Sequence, residues 1–204
     1  SSTSSAGAGA LKPSTCDGGV LHYGDVIMLR SDKTGFSLCV DLLETIPTEE
    51  SVEVRRCTTS TITTSPDLRN LFVVLPYKDT SSKSTPLPPT QSGEYDDSVI
   101  KYNEPFMLAT HPDAPTTGQL YLSSKRVAPG VHTKTGGQEV VAEGSPGYDN
   151  AWKLVYLDPQ FRFEKEGAPV EITSAKDTFI IVHAQTGQAL GSDMIQRTSI
   201  YGLE

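Results

Sequence analysis

Too few cysteines are present, and at the wrong spacing, to build a metal ribbon or a disulfide framework. Cys16, Cys39 and Cys57 form no Cys-x-x-Cys pair and leave an odd count, which suits a reducing compartment, with Cys39 and Cys57 read as buried thiols in strand-like runs. Histidine is as sparse. His22, His111, His132 and His183 are scattered, at no metal-ligand spacing with one another or with cysteine, so they read as structural and no metal site is expected. There is no Gly-x-Ser-x-Gly elbow to expose a nucleophile. Neither Gly18-Gly19 nor Gly136-Gly137 opens a strand-to-helix junction able to cradle phosphate, which leaves them as turn glycines. The acidic pairs Glu49-Glu50 and Asp96-Asp97 fall in loops without an EF-hand pattern and read as solvated charge. On these absences no catalytic residue and no cofactor is expected, and the chain does not read as an enzyme.

Basic charge is also short. Lys and Arg number 17 against 25 Asp and Glu, giving a net charge of -8 and a pI near 5.0, which argues against nucleic acid or an anionic membrane surface as partner. The only adjacent basic pairs are Arg55-Arg56 and Lys125-Arg126; if a partner is acidic, these four residues are the candidate contacts. No apolar run is long enough to span a membrane, and no signal peptide is recognisable. The first residue is not Met, and the opening Ser1-Ser2-Thr3-Ser4-Ser5-Ala6-Gly7-Ala8-Gly9-Ala10 is low in complexity. Residues 1–17 are therefore read as linker belonging to a longer protein.

What the chain does have is a repeated strand-turn-strand pattern. From Val26 to Arg30 apolar and polar residues alternate, Thr34-Gly35 makes a turn, and Leu38 and Val40 begin a second strand. No window keeps helical spacing over three turns, so the class is all-β. The Thr-Gly turn recurs at Thr117-Gly118 and Thr186-Gly187. Lys101-Tyr102-Asn103-Glu104-Pro105-Phe106-Met107-Leu108 echoes His22-Tyr23-Gly24-Asp25-Val26-Ile27-Met28-Leu29, and Asn150-Ala151-Trp152-Lys153-Leu154-Val155 echoes Asn70-Leu71-Phe72-Val73-Val74-Leu75.

A third unit is placed from Asp177 through Thr186-Gly187 to Leu190, after a linking strand and turn at Phe161 to Gly167. Three four-stranded units predict a β-trefoil, MIR-like, as a single domain over residues 18–204, with Leu29, Leu108 and Val182 at equivalent positions. The Ser/Thr/Pro-rich stretch at about 79–97 reads as an insertion. Repeat arithmetic puts a third Asn-x-aromatic strand near 219 to 222, beyond Glu204, so the last unit is expected to be incomplete and to leave one barrel edge open.

Three words run in order along the chain: His22-Tyr23-Gly24-Asp25-x-x-Met28-Leu29, Tyr121-Leu122-Ser123-Ser124, and Trp152 followed by Asp158-Pro159-Gln160-x-Arg162-x-Glu164-x-Glu166-Gly167-x-Pro169-Val170. Together they resemble the cilia- and flagella-associated protein 161 family. MIR domains share the Tyr-Gly-Asp opening and the Thr-Gly turn but usually not the Asp158-to-Val170 run. The resemblance implies a microtubule inner protein in the A-tubule lumen of ciliary and flagellar doublet microtubules. Such a protein binds α/β-tubulin and neighbouring inner proteins and stabilises the axoneme, with no chemistry performed. The alternative is a glycan- or peptide-binding trefoil or MIR module. Sugar-binding trefoils usually carry a Gln-x-Trp word in each repeat, whereas this chain has only Trp152 and no such word. Trp152 is accordingly read as a core aromatic plugging the barrel.

Overall fold

The computed structural model describes residues 11–14, 19–47, 52–61, 65–77, 98–126, 137–174, 177–192 and 198–203. Its strands are β1 (Val26–Ile27), β2 (Ser37–Thr45), β3 (Val54–Ser60), β4 (Phe72–Pro76), β5 (Pro105–Thr110), β6 (Tyr121–Ser124), β7 (Val140–Glu143), β8 (Trp152–Val155), β9 (Ile180–His183), β10 (Thr198–Ser199) and β11 (Gly202–Leu203). Helix is confined to short turns, so the all-β reading holds. The 79–97 insertion lies outside the described residues. So do most of residues 1–17, but Ser14 within them donates its N–H to the Val26 carbonyl, and its hydroxyl accepts the Val26 N–H, both at 2.8 Å.

Every named pairing is antiparallel, and β1, β4, β5, β8 and β9 follow one another by hydrogen bonding. The rule of assembly is the same at each step. β4 joins β1 to β5, with Phe72 opposite Ile27 on one side and Thr110 on the other. β8 joins β5 to β9, with Trp152 opposite Phe106 and His183. The hairpin β6–β7 joins this row where Tyr121 pairs with Ala109 of β5, and the hairpin β2–β3 continues the sheet by pairing β3 with β7.

Two pieces of local structure explain why the echoed sequences behave alike. Asn70 and Asn150 are wholly buried, and each carboxamide oxygen accepts a backbone N–H three residues back, from Asp67 (2.8 Å) and Gly147 (2.7 Å). Asparagine side chains favour such local bonds over extending a ladder, so each corner ends in a fixed direction and launches β4 or β8. Upstream, Gly24 (φ 94°) and Asn103 (φ 65°) both take the left-handed conformation. Their N–H groups donate to Val74 and Leu154, each four residues past its corner asparagine. Gly and Asn are the residues that enter this region at least cost.

A closed ring of backbone bonds ties three segments together. The Leu21 N–H donates to the Val170 carbonyl (3.0 Å), Ile100 to Leu21 (2.8 Å) and Val170 to Ile100 (2.8 Å). All three side chains are buried in one cluster with Phe72, Phe106 and Trp152. Val170 is thereby tied to Leu21 and Ile100, ahead of the Asp177 at which the sequence places the start of a third unit.

Three further expectations shift. Gly35 (φ 72°) and Gly187 (φ 70°) make the same left-handed turn, each donating its N–H to the residue four back. Gly118 has no positive φ, and Thr117 is instead drawn to Glu53, so the middle Thr-Gly is a different loop. Leu38 donates to Leu29 and Leu190 to Ile181, while Leu108 and Ile181 sit opposite Val74 and Leu154. Ile181 is therefore the equivalent of Leu29 and Leu108, where the sequence suggested Val182. Three successive β-branched residues, Ile180 to Val182, hide the period-2 signal that would set the register.

Phe161 to Gly167 is not a linking strand. It holds a 3₁₀ turn, Pro159–Phe161, running into α1, Arg162–Lys165. Asp158 caps the turn by accepting the Gln160 N–H (3.0 Å), and Pro159 comes with its φ already set for a first helical position.

Candidate functional site

Four basic residues were the contact candidates, and the structure disperses their charges. Arg55 is buried, and its guanidinium is held by Glu53, with Nε donating to Oε1 at 2.7 Å. Successive side chains leave a strand on opposite faces, so Arg56 points the other way, opposite Val141. Its Nε is buried with no hydrogen-bond partner among the described residues. Ser123 lies in the same cross-strand row as Arg56 and Val141, and two residues on, Lys125 reaches Glu143 at 3.1 Å and Asp149 at 4.0 Å. Arg126 is exposed. Arg56 and Lys125 share one face of the β3–β7–β6 sheet; Arg55 belongs to the other.

Glu53 is the hub of a clasp between the start of β3 and the loop that leads into β6. Besides Arg55, it accepts the Thr117 N–H at 3.1 Å and the Thr117 hydroxyl. Desolvation is the largest single influence on its carboxyl and pushes the pKa up. The Thr117 bonds, with those from Arg55 and the charge of that guanidinium, outweigh it and hold the group below the usual carboxylate range.

A second clasp joins β8 to β9. Buried His183 packs against Trp152 at 5.1 Å between ring centroids. Its Nε2 sits 3.0 Å from the Asp149 carbonyl, which can only accept, so this nitrogen carries a proton; Nδ1 meets the Thr186 hydroxyl at 2.9 Å. Ser123 is fully buried and gives its hydroxyl proton to Glu143 (2.6 Å). With both hydroxyl and carboxylate committed to packing, the pair locks β6 to β7 and offers no nucleophile to solvent. Burial pushes the Cys57 thiol far above its ordinary range, with Cys39 and Glu139 adding to the effect, although part of the residue reaches the surface. Among the described residues no group of His, Cys, Asp and Glu is gathered for a metal ion, and no helix is long and apolar enough to cross a membrane.

The feature that sequence reasoning missed is apolar. Leu157, Phe161 and Phe163 stand out of the capped turn with exposures of 50%, 46% and 87%. A signal was available in Asp158-Pro159, a helix-start pair that argues against extended structure for the residues after it.

A family model, the cilia- and flagella-associated protein 161-like domain, matches residues 16–204. Among curated proteins, Cilia- and flagella-associated protein 161 of Danio rerio is 29% identical over 202 residues, covering 89% of this chain and 60% of the relative. The protein of that name from Mus musculus is 36% identical over 94 residues, 45% of this chain and 29% of the relative. That from Bos taurus is 28% identical over 195 residues, 87% and 54%. The chain spans about three fifths or less of the length of these relatives. Two solved structures share the fold at 18% identity. A Caenorhabditis elegans protein of unknown function has a TM-score of 0.57, covering 92% of this chain and 87% of its own. The SDF2-like protein from Arabidopsis thaliana has a TM-score of 0.58, at 90% and 83%.

Proposed function

Because this chain belongs to the cilia- and flagella-associated protein 161-like family, we propose that it is a cilium- and flagellum-associated structural protein. In this reading it is a microtubule inner protein in the A-tubule lumen of doublet microtubules, binding α/β-tubulin and neighbouring inner proteins and stabilising the axoneme without catalysing a reaction. The observation that carries the reading is the family match over residues 16–204. The proposed scaffold is a β-trefoil. Its support is the ring of bonds among Leu21, Ile100 and Val170, together with the repeated rule by which β4 and β8 each bridge the first strands of successive units.

Such a scaffold suits a lattice protein physically. Short strands pinned by buried corner asparagines hold loops at fixed spacings, and rigid loops lose little entropy on docking. An acidic chain does not find acidic tubulin by net charge, so contact rests on shape and hydrogen bonding, with Lys125 and Arg126 as candidate local cations. The test is co-sedimentation with isolated doublet microtubules under salt extraction. Retention through high salt is expected of a lumenal protein; release by mild salt would sink the proposal.

A further inference from the structure

We propose that the Leu157, Phe161 and Phe163 knob is a docking anchor that seats in an apolar socket rimmed by Lys or Arg on a neighbouring axonemal protein, an inference that rests on the ciliary reading above. Phe163 is 87% exposed, which removes it from any part in the core. A flexible loop carrying such a ring would lose ordering entropy on binding, but here the backbone is already held from both ends. Asp158 caps the turn, Arg162 Nε donates back to the Tyr156 carbonyl (2.9 Å), and the N–H groups of Gly167 and Ala168 donate to Tyr102 and Lys165, each at 3.0 Å. Tyr156 is itself fixed edge-on to Tyr102, 5.5 Å between centroids. Preorganised aromatic anchors ringed by neutral contacts are what interface hot spots consist of.

Charge selects the partner. Of the two cations of the turn, half-buried Arg162 donates to the Tyr156 carbonyl, and Lys165, itself exposed, lies over the Tyr156 ring at 5.6 Å. Glu164 and Glu166, which flank the knob, form no ion pair among the described residues and are exposed. With exposed Asp158 added, three carboxylates outnumber the two cations, so the apolar knob is presented inside a collar of net negative charge. A second copy of this chain, with a net charge of -8, would bring like charges together, and an anionic lipid surface would repel the collar. A protein socket with a basic rim satisfies both the ring and the carboxylates.

The test uses isolated ciliary axonemes as the probe, with the wild-type chain, Phe163→Ala, Phe163→Leu, a Glu164→Lys/Glu166→Lys double variant, and Leu43→Ala as an exposed apolar control elsewhere (66% exposed). Retention is expected to fall at least tenfold for Phe163→Ala, to fall less for Phe163→Leu, to fall for the charge reversal, and to stay unchanged for Leu43→Ala. The thermal midpoint of Phe163→Ala should match wild type, since the ring touches no core. A photo-crosslinker in place of Phe163 should label an apolar segment flanked by Lys or Arg. Wild type that binds while Phe163→Ala binds equally well, or crosslinks that go to lipid, to a second copy or to an acidic segment, would overturn this inference and leave the ciliary reading standing. Wild type that fails to bind axonemes at all would overturn both.

Discussion

Replacing Asn150 probes the repeat where sequence and structure agree most closely. Its side chain is fully buried. Oδ1 accepts the Gly147 N–H at 2.7 Å, and Nδ2 faces the carbonyls of Leu122 (3.3 Å) and Tyr121 (3.4 Å). Asn150→Ala strands the Gly147 N–H. It costs Leu122 less, because that carbonyl also accepts Trp152 Nε1–H at 2.9 Å. A stranded donor on half-buried Gly147 costs about 1–3 kcal/mol, and losing the amide's own bonds and volume adds roughly 1 kcal/mol. The expected loss is therefore about 2–4 kcal/mol, a large share of a typical stability of about 5–15 kcal/mol, and lowers the midpoint by roughly 4–16 °C in a chain of this size. Asn150→Asp sharpens the test. The carboxylate keeps the acceptor but turns a charge toward two carbonyls, so its folded-state pKa is raised above the unfolded value of about 3.9. Stability is then near wild type below that value and falls as pH rises through the folded pKa, a deficit absent from wild type. Equilibrium urea unfolding, followed by Trp152 fluorescence at several pH values, reads both variants. A loss under about 0.5 kcal/mol for Asn150→Ala, or a pH profile of Asn150→Asp parallel to wild type, would show that the corner does not hold the strand.

Four other outcomes are expected. Asn70→Ala should cost less than Asn150→Ala, roughly 1–2 kcal/mol, since the backbone groups its Oδ1 and Nδ2 hold belong to exposed Asp67 and Ser65 and can be rehydrated; denaturant titration checks it. Gly24→Ala should lose about 1–2 kcal/mol although its Cβ would meet nothing within 4 Å, because φ is 94°; Gly118→Ala, equally open but without positive φ, should be neutral or slightly stabilising by calorimetry. The depressed pKa of Glu53 contributes stability above its unfolded value of about 4.3, lost as pH falls through the folded pKa, so Glu53→Gln should flatten the acid limb of a midpoint-against-pH curve. Trp152→Phe removes the indole N–H donor to the Leu122 carbonyl and should cost about 1–3 kcal/mol in the same unfolding assay, read by circular dichroism.

Strand content and the echoed segments around β1, β4, β5 and β8 were legible because their signals are local. The alternation at Val26 to Arg30, the aromatic after each corner asparagine, and Gly24 or Asn103 at a left-handed position all act within a few residues of themselves. The register of β9 was less legible. Ile180-Ile181-Val182 carries no alternation, so only pairing to β8 decides that Ile181 takes the place of Leu29. Thr117-Gly118 looked like its counterparts because the dipeptide is the same, but its loop is governed by Glu53, 64 residues away. The candidate site was least legible. Arg55 and Arg56 are neighbours in sequence and opposites on the strand, and the neutralising carboxylate of Glu143 reaches Lys125 only because β6 and β7 pair.

By itself the sequence determined the all-β class, the repeat, its corner asparagines and its family, since each rests on short-range backbone preference or on words read in order. Only the tertiary structure decided that Leu21, Ile100 and Val170 close a ring, that the basic side chains are tied to carboxylates or sent to separate faces, and that Phe163 is left in solvent. Those outcomes depend on which strands lie side by side, and burial is a property of that packing, not of any residue alone.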